Sequence, residues 1–431
     1  MADISFDNDF TIEGFWHLPE SNHEVYGLLH HKVGDHMLLH VVGSISKRTN
    51  FDLTRNSESF DTLYGKSLDG KLFTIYGCVF KEQRKTGDNA PSVDYICSCL
   101  LQGLNIKKES VLIKRANVNI SGLSTWCPPD SKEDLIRELN FDAIGKAQIE
   151  YRYKPNEICN VKINDQLDIS LGYNVIEKNS IHDDLLFSVD YRTSVSFLNN
   201  GTVTLAKQLD NIFLFQQFLS FGMAQECHTK EIQCYLSIEE SSGEPIYIVT
   251  GERHTLEHEY SYTPILFTYK SLGEHFRIFL SNWYNISNEL KPIRDFLVDS
   301  ILSKEKSETV KFLNLAIAVE SYYLRFVGDD KYKDIIDKLV NAFHDVNKLA
   351  KDKINSEEIR DTRHYFAHYL KTPKNHTVSG MQMSEQAWYL RKLLICCVLS
   401  SCLQTKDNKI INSILDKSNC WYLEDWDKVH I

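Results

Sequence analysis

Arg363, His364 and His368 lie in the segment Ile359-Arg-Asp-Thr-Arg-His-Tyr-Phe-Ala-His-Tyr369, with four residues between the arginine and the second histidine. Arginine presents a planar fork of donors to a phosphate and stays charged. Histidine moves protons near neutral pH. Together they suit cleavage of RNA without a metal. The spacing alone decides little, because Arg253-His-Thr-Leu-Glu-His258 repeats it. That second copy stands beside Gly251 and ahead of Pro264, a setting for a loop or strand edge, and is read as structural.

The element that must carry the first copy is a helix over Ser356–Leu370. Asn355 with Glu358 three residues on has the form of an N-terminal capping box, and Pro373 follows the helix end. Ile359, Thr362, Phe366 and Tyr369 recur at helical spacing and are expected to face a core. Arg360, His364 and His368 fall four apart on an outward stripe. Arg363 sits about 140° around an ideal helix from His368. One straight helix therefore does not aim both groups at one atom, whereas two such helices meeting across a symmetric dimer would. Read without context, the stripe is first a solvated surface helix.

The chain has 431 residues, 42% hydrophobic and 25% charged, which implies an ordinary globular protein of two or three domains. No apolar run is long enough to cross a membrane, and the start Met-Ala-Asp-Ile-Ser-Phe-Asp lacks a secretory pattern. Eleven cysteines without a Cys-x-x-Cys pair read as free thiols in a reducing cytoplasm. The net charge of −11 is unevenly spread. From Lys291 onward there are 22 Lys+Arg and 20 Asp+Glu, or +2, which leaves −13 for the rest. Non-specific binding along a long nucleic acid is thereby disfavoured, but a local phosphate site is not.

Short strand-like runs separated by Gly, Asn and Asp turns occupy the chain to about residue 200, and Glu231–Ile238 and Pro245–Thr250 add two more. Val203–Met223 interrupts them with helical periodicity. From about residue 268 the pattern is helical: Tyr269–Tyr284, Lys291–Ser303, Glu308–Val327, Lys331–Asp352, the motif helix and Ser384–Cys402. The expected class is α+β multidomain. A β-rich region over 1–267, sandwich or barrel-like and divisible at 145/146, precedes an all-α bundle over 268–431. Six histidines (His17, His23, His30, His31, His36 and His40) crowd the first forty residues. Strand geometry scatters neighbours to opposite faces, so no metal site is assigned.

Arg363-His-Tyr-Phe-Ala-His368 resembles the Arg-polar-x-x-x-His motif of HEPN domains. Arg360-Asp-Thr-Arg-His-Tyr-Phe-Ala-His-Tyr369 is similar to the HEPN domain of ApeA-like anti-phage proteins, and Leu313–Tyr323 to that family's Glu-bearing helix. At the other end, Glu13-Gly-Phe-Trp-His-Leu-Pro19, Val25-Tyr-Gly-Leu-Leu29 and Leu38-Leu-His-Val-Val-Gly-Ser44 resemble the opening of the ApeA N-terminal domain. His364 departs from the Asn most usual after the motif arginine.

The resemblance implies an abortive-infection defence protein whose HEPN domain is a metal-independent endoribonuclease without a cofactor. It would leave 2′,3′-cyclic phosphate and 5′-hydroxyl ends on tRNA or mRNA. His368 is the expected general base or acid, Arg363 the phosphate clamp, and His364 either a second proton-transfer group or an orienting one. Glu320 and Asp361 are expected as supporting residues, with Glu320 either holding an arginine or simply lining a helix face. Arg360, Tyr365 and Tyr369 are the expected RNA contacts, with core packing the competing role of the tyrosines. A homodimer or higher oligomer, a phage-derived trigger, a cytoplasmic location and no membrane complete the expectation. The alternative is a catalytically silent HEPN scaffold that binds RNA or protein. A third reading places an unrelated active site in the β-rich part.

Overall fold

Phe10–His17 alternates buried and exposed side chains along nearly its whole length, as a strand with one face on a core must. In the computed structural model this strand, β1, belongs to a closed ring with β2 (Val25–His31), β3 (Met37–Val42), β4 (Phe60–Ser67), β5 (Leu72–Arg84) and β6 (Ser92–Gln102). The ring runs β6-β3-β2-β1-β4-β5 and closes by β5 pairing with β6, every pair antiparallel. The barrel form of the expected β-rich region is the one adopted. The structure describes residues 4–6, 8–46, 58–84, 92–128, 135–141, 147–153, 157–180, 186–237, 245–250, 264–302 and 307–430.

Trp16, Leu29, Leu39 and Leu63 are fully buried in this unit. Trp16 fits because glycines make room for it. A Cβ at Gly65 would collide with its ring, and its indole N–H donates to the Gly27 carbonyl at 3.3 Å. The sheet then continues from β6 through β14 (Ile246–Thr250), β13 (Thr229–Leu236), β7 (Leu112–Ile120), β12 (Leu186–Thr204), β11 (Leu167–Ser180) and β10 (Glu157–Lys162). β8 (Leu135–Phe141) and β9 (Ala147–Tyr153) form a separate hairpin. The N-terminal histidines disperse as expected: His31 is buried, His30 meets Thr11, and His40 pairs with Asp94. All eleven cysteines are buried.

Two units divide the chain. The first takes Met1–Ser124, Pro128–Phe213 and His228–Glu259, and the second Thr125–Cys127, Leu214–Cys227 and Tyr260–Ile431. In the second unit Phe218, from the long helix α2 (Leu205–Met223), packs its ring against Trp126, Phe267, Phe276, Phe279 and Trp283. Trp126 ends the one-turn helix α1 (Leu123–Trp126). The helix expected over 269–284 is broken. α3 (Tyr269–Leu272) is capped reciprocally by Thr268 and Ser271, and Gly273 at φ +53° turns the chain before α4 (Phe276–Tyr284).

α5 (Lys291–Leu302), α6 (Glu308–Phe326), α7 (Tyr332–Ala342), α8 (Ser356–Ala367), α9 (Met381–Leu403), α10 (Asn408–Leu415) and α11 (Trp426–His430) follow. α9 is buried on all sides along most of its length and packs against α4, α5 and α6, the position of a central helix. α7 stops ten residues earlier than its periodicity suggests. Phe343, Val346 and Leu349 are buried at three-residue spacing, which suits the 3₁₀ turns found at Asn347–Leu349 and Lys351–Lys353. Among the described residues no helix is long and apolar enough to cross a membrane.

Candidate functional site

α8 opens beneath Asn355, whose side chain accepts from the backbone N–H of Glu357 at 3.1 Å and Glu358 at 3.2 Å. The reciprocal half of the expected box belongs to another helix: the Asn355 N–H donates to Gln386 of α9 at 3.2 Å. Ile359, Asp361 and Thr362 are buried. The loop after α8 is tied to two of them. The Val378 N–H donates to Thr362 at 2.9 Å, and the His376 N–H donates to the Asp361 carboxylate. Burial opposes ionisation of Asp361. Arg360, donating from Nε at 2.9 Å, together with the His376 N–H and Lys374, outweighs it and holds the carboxyl below its usual range.

Arg363 turns toward α6 and α7. Its Nη2 donates to Glu320 at 2.5 Å, and its guanidinium lies over the Tyr332 ring, 4.6 Å from the centroid. Tyr332 is held in turn, its hydroxyl donating to the Ala316 carbonyl at 3.2 Å, and burial pushes its phenol up. The Nε of Arg363 is buried without a partner. The guanidinium is thus fixed on one face and at one nitrogen, with a donor unused.

His364 and His368 meet each other, ring centroids 4.8 Å apart and planes at 61°. Loss of hydration, then the electrostatic influence of Lys374 and of the neighbouring His368 ring, hold the His364 imidazole below its ordinary value, which favours its neutral form at pH 7. His368 closes the helix rather than continuing it, its N–H reaching the His364 carbonyl at 3.3 Å. The helix therefore ends at Ala367, not Leu370. Tyr369 enters the left-handed region at φ +48° and is 92% exposed, so the expectation that it faces the core is wrong. The turn is locked by the Leu370 N–H donating to the Tyr365 carbonyl at 3.1 Å. Tyr365 is half-buried with its ring edge-on to Phe366, 4.9 Å away.

The structure brings together Arg363 with Glu320, His364 with His368, and Arg360 with Asp361. Among the described residues no hydrogen bond joins Arg363 to either imidazole. Arg253 and His258 lie outside the described residues. Sequence reasoning missed Tyr332 and Gln386, which reach the motif from other helices and leave no local signal, and Lys374 in the loop that follows α8. Among the described residues no three His, Cys, Asp or Glu side chains gather as a metal-ion site.

α6, which supplies Glu320, also carries an exposed apolar stripe. Val310, Ile317 and Leu324 recur every seven residues at 42%, 45% and 47% exposure. Residues 11–283 match the family model described as ApeA N-terminal domain 1, and residues 282–407 match that described as Apea-like HEPN. No curated protein matches the chain, and no solved structure does.

Proposed function

Since the chain belongs to the ApeA family, an ApeA N-terminal domain followed by an ApeA-like HEPN domain of the nuclease type used in anti-phage defence, we propose that it is an abortive-infection endoribonuclease acting without a metal through Arg363 and His368. The substrate's 2′-hydroxyl attacks the adjacent phosphorus, the bond to the 5′-oxygen breaks, and 2′,3′-cyclic phosphate and 5′-hydroxyl ends result. His368 takes or returns the proton, and Arg363 offsets charge on the equatorial oxygens. His364, its neutral form favoured at pH 7 and its ring in contact with His368, serves as the second proton carrier or orients the first. RNA with unpaired loops, in tRNA or mRNA, is the favoured substrate because free nucleotides can align the attacking and leaving oxygens. DNA lacks the nucleophile.

The observation that carries this reading is the clamp on Arg363. A guanidinium held by Glu320 and Tyr332, one residue from an imidazole pair, is prepositioned rather than freely solvated. In one chain the arginine faces α6 and α7 while the histidines pair with each other. Two copies meeting along the exposed α6 stripe would set these groups around a shared cleft, so the active form proposed is a homodimer. The acidic β-rich region is proposed to restrain the nuclease until a phage-derived trigger binds, by repelling RNA. Neutralising those charges should raise basal RNA affinity, and no change would remove the idea.

The same clamp favours a second reading. An arginine already paired and stacked is also what a silent RNA- or protein-binding scaffold would hold for packing alone. End-labelled total tRNA and mRNA incubated in EDTA, with phage lysate as trigger, separates the two. Cyclic-phosphate ends that vanish with His368→Ala and Arg363→Ala support the nuclease. Intact RNA under every condition supports the scaffold.

A further inference from the structure

Tyr369 has no structural reason to be a tyrosine. It follows His368 directly, adopts φ +48°, and leaves its ring 92% exposed. The left-handed conformation costs any residue that carries a Cβ, and glycine or asparagine normally fills this position after a helix. A buried ring would offset that strain through packing, but this one is in solvent. The backbone around it is fixed by the Leu370-to-Tyr365 hydrogen bond, so the ring is presented from a rigid turn. The next residues, Lys371 to His376, are all exposed and include Lys371 and Lys374. Lys374 is close enough to act electrostatically on His364.

An aromatic plane projecting beside a proton-transfer pair, with two cationic side chains following it, matches an unpaired nucleotide: a base for the ring and phosphates for the lysines. We infer that Tyr369 is a base-stacking subsite that holds an unpaired nucleotide next to the phosphate presented to His368. The inference rests on the ribonuclease reading of the same site and adds its requirement for single-stranded RNA. Stacking tolerates any base, so Tyr369 selects for unpaired structure more than for sequence.

The test uses the full chain and a single-stranded 2′-O-methyl oligonucleotide of mixed sequence, which cannot be cleaved, beside its duplex with a complement. Tyr369→Gly relieves the backbone strain, so it should melt at or above the wild-type temperature. Its affinity for the single strand should fall on the order of ten- to a hundredfold, the loss of one stacked base, while Tyr369→Trp keeps it and duplex binding stays weak throughout. Unchanged affinity in Tyr369→Gly overturns the inference. So does a loss that occurs only as the protein changes oligomeric state in sedimentation, which would assign the ring to a contact between copies. Wild-type protein that binds the probe through Tyr369 yet never cuts the 2′-hydroxyl version would end the nuclease reading and leave the subsite standing.

Discussion

Arg363 shows how one side chain is made ready by two others. Glu320 fixes its direction and Tyr332 its plane, and both come from helices distant in sequence. Glu320→Gln keeps the shape of that acceptor and removes its charge. Cleavage should fall about a hundredfold, the scale of an ångström-level misplacement at a reacting centre, with little change in melting temperature. Equal loss of activity and stability would instead make Glu320 a packing residue. Lys392 is a second residue with a measurable cost. It is 1% exposed in α9, donates to the Leu423 carbonyl at 3.1 Å and lies 5.2 Å from the Tyr389 ring centroid. Burial lowers its ammonium to about 8, despite the opposing carboxylates of Asp425 and Glu424. The unfolded chain then binds the extra proton between about pH 8 and its ordinary value of 10.5, so stability should rise with pH across that window. Lys392→Met should remove the rise and stabilise the protein at pH 7, by at most roughly 3 kcal/mol. A chemical-denaturation series over pH 7 to 10.5 reads both effects.

At the scale of elements, α6 and β1 each explain why a short string in the sequence has the residues it has. α6 faces inward with Phe312, Leu315, Ala316 and Val319 and outward with the Val310–Ile317–Leu324 stripe. Ile317→Asp paired with Leu324→Asp should give a monomer in sedimentation with unchanged melting temperature and no cleavage. A folded, dimeric double variant would move the interface elsewhere. In the barrel, Gly65→Ala should cost about 1–3 kcal/mol, typical of overpacking, because the added methyl group meets Trp16. Thermal melting measures it, and a neutral result would mean that the ring can shift. The helices were legible where amphipathic periodicity is long, as in α6 and α9. β1 and β4 were not, because each carries a glycine where a side chain has no room, Gly14 against the Lys66 backbone and Gly65 against the Trp16 ring, and glycine weakens the strand signal. α10 and α11 escaped as well. Each is short, and α11 is recognisable only through the packing of Trp426 against Trp388.

Over the whole molecule, what could be read was the order of classes, β-rich and then helical, and the motif at Arg363 and His368. What could not be read was non-local. Closure of six strands into a barrel depends on β5 meeting β6 while β6 also meets β3. Likewise the clamp on Arg363 depends on α6 and α7 lying against α8. The charge distribution, acidic in front and near neutral behind, is visible in composition alone. Its proposed effect, repulsion of RNA before triggering, predicts that basal binding of wild-type protein strengthens as salt rises from very low levels. Screening would relieve the repulsion first, before phosphate contacts weaken at higher salt. A steady decline from the lowest salt would count against it.

The helical unit does not begin where the helices become continuous. Phe218 and Trp126 reach its aromatic core from well before residue 260. A peptide bond cut in the stretch between β14 and α3 would therefore not liberate a self-sufficient helical unit. The severed C-terminal piece would leave behind the rings that fill its own interior. For the proposed ribonuclease this would be a form of containment: proteolytic damage would disarm it instead of unleashing it. The same arrangement means that recombination at that point could not transfer the helical unit intact, since a transplant starting there would arrive with a hole in its core.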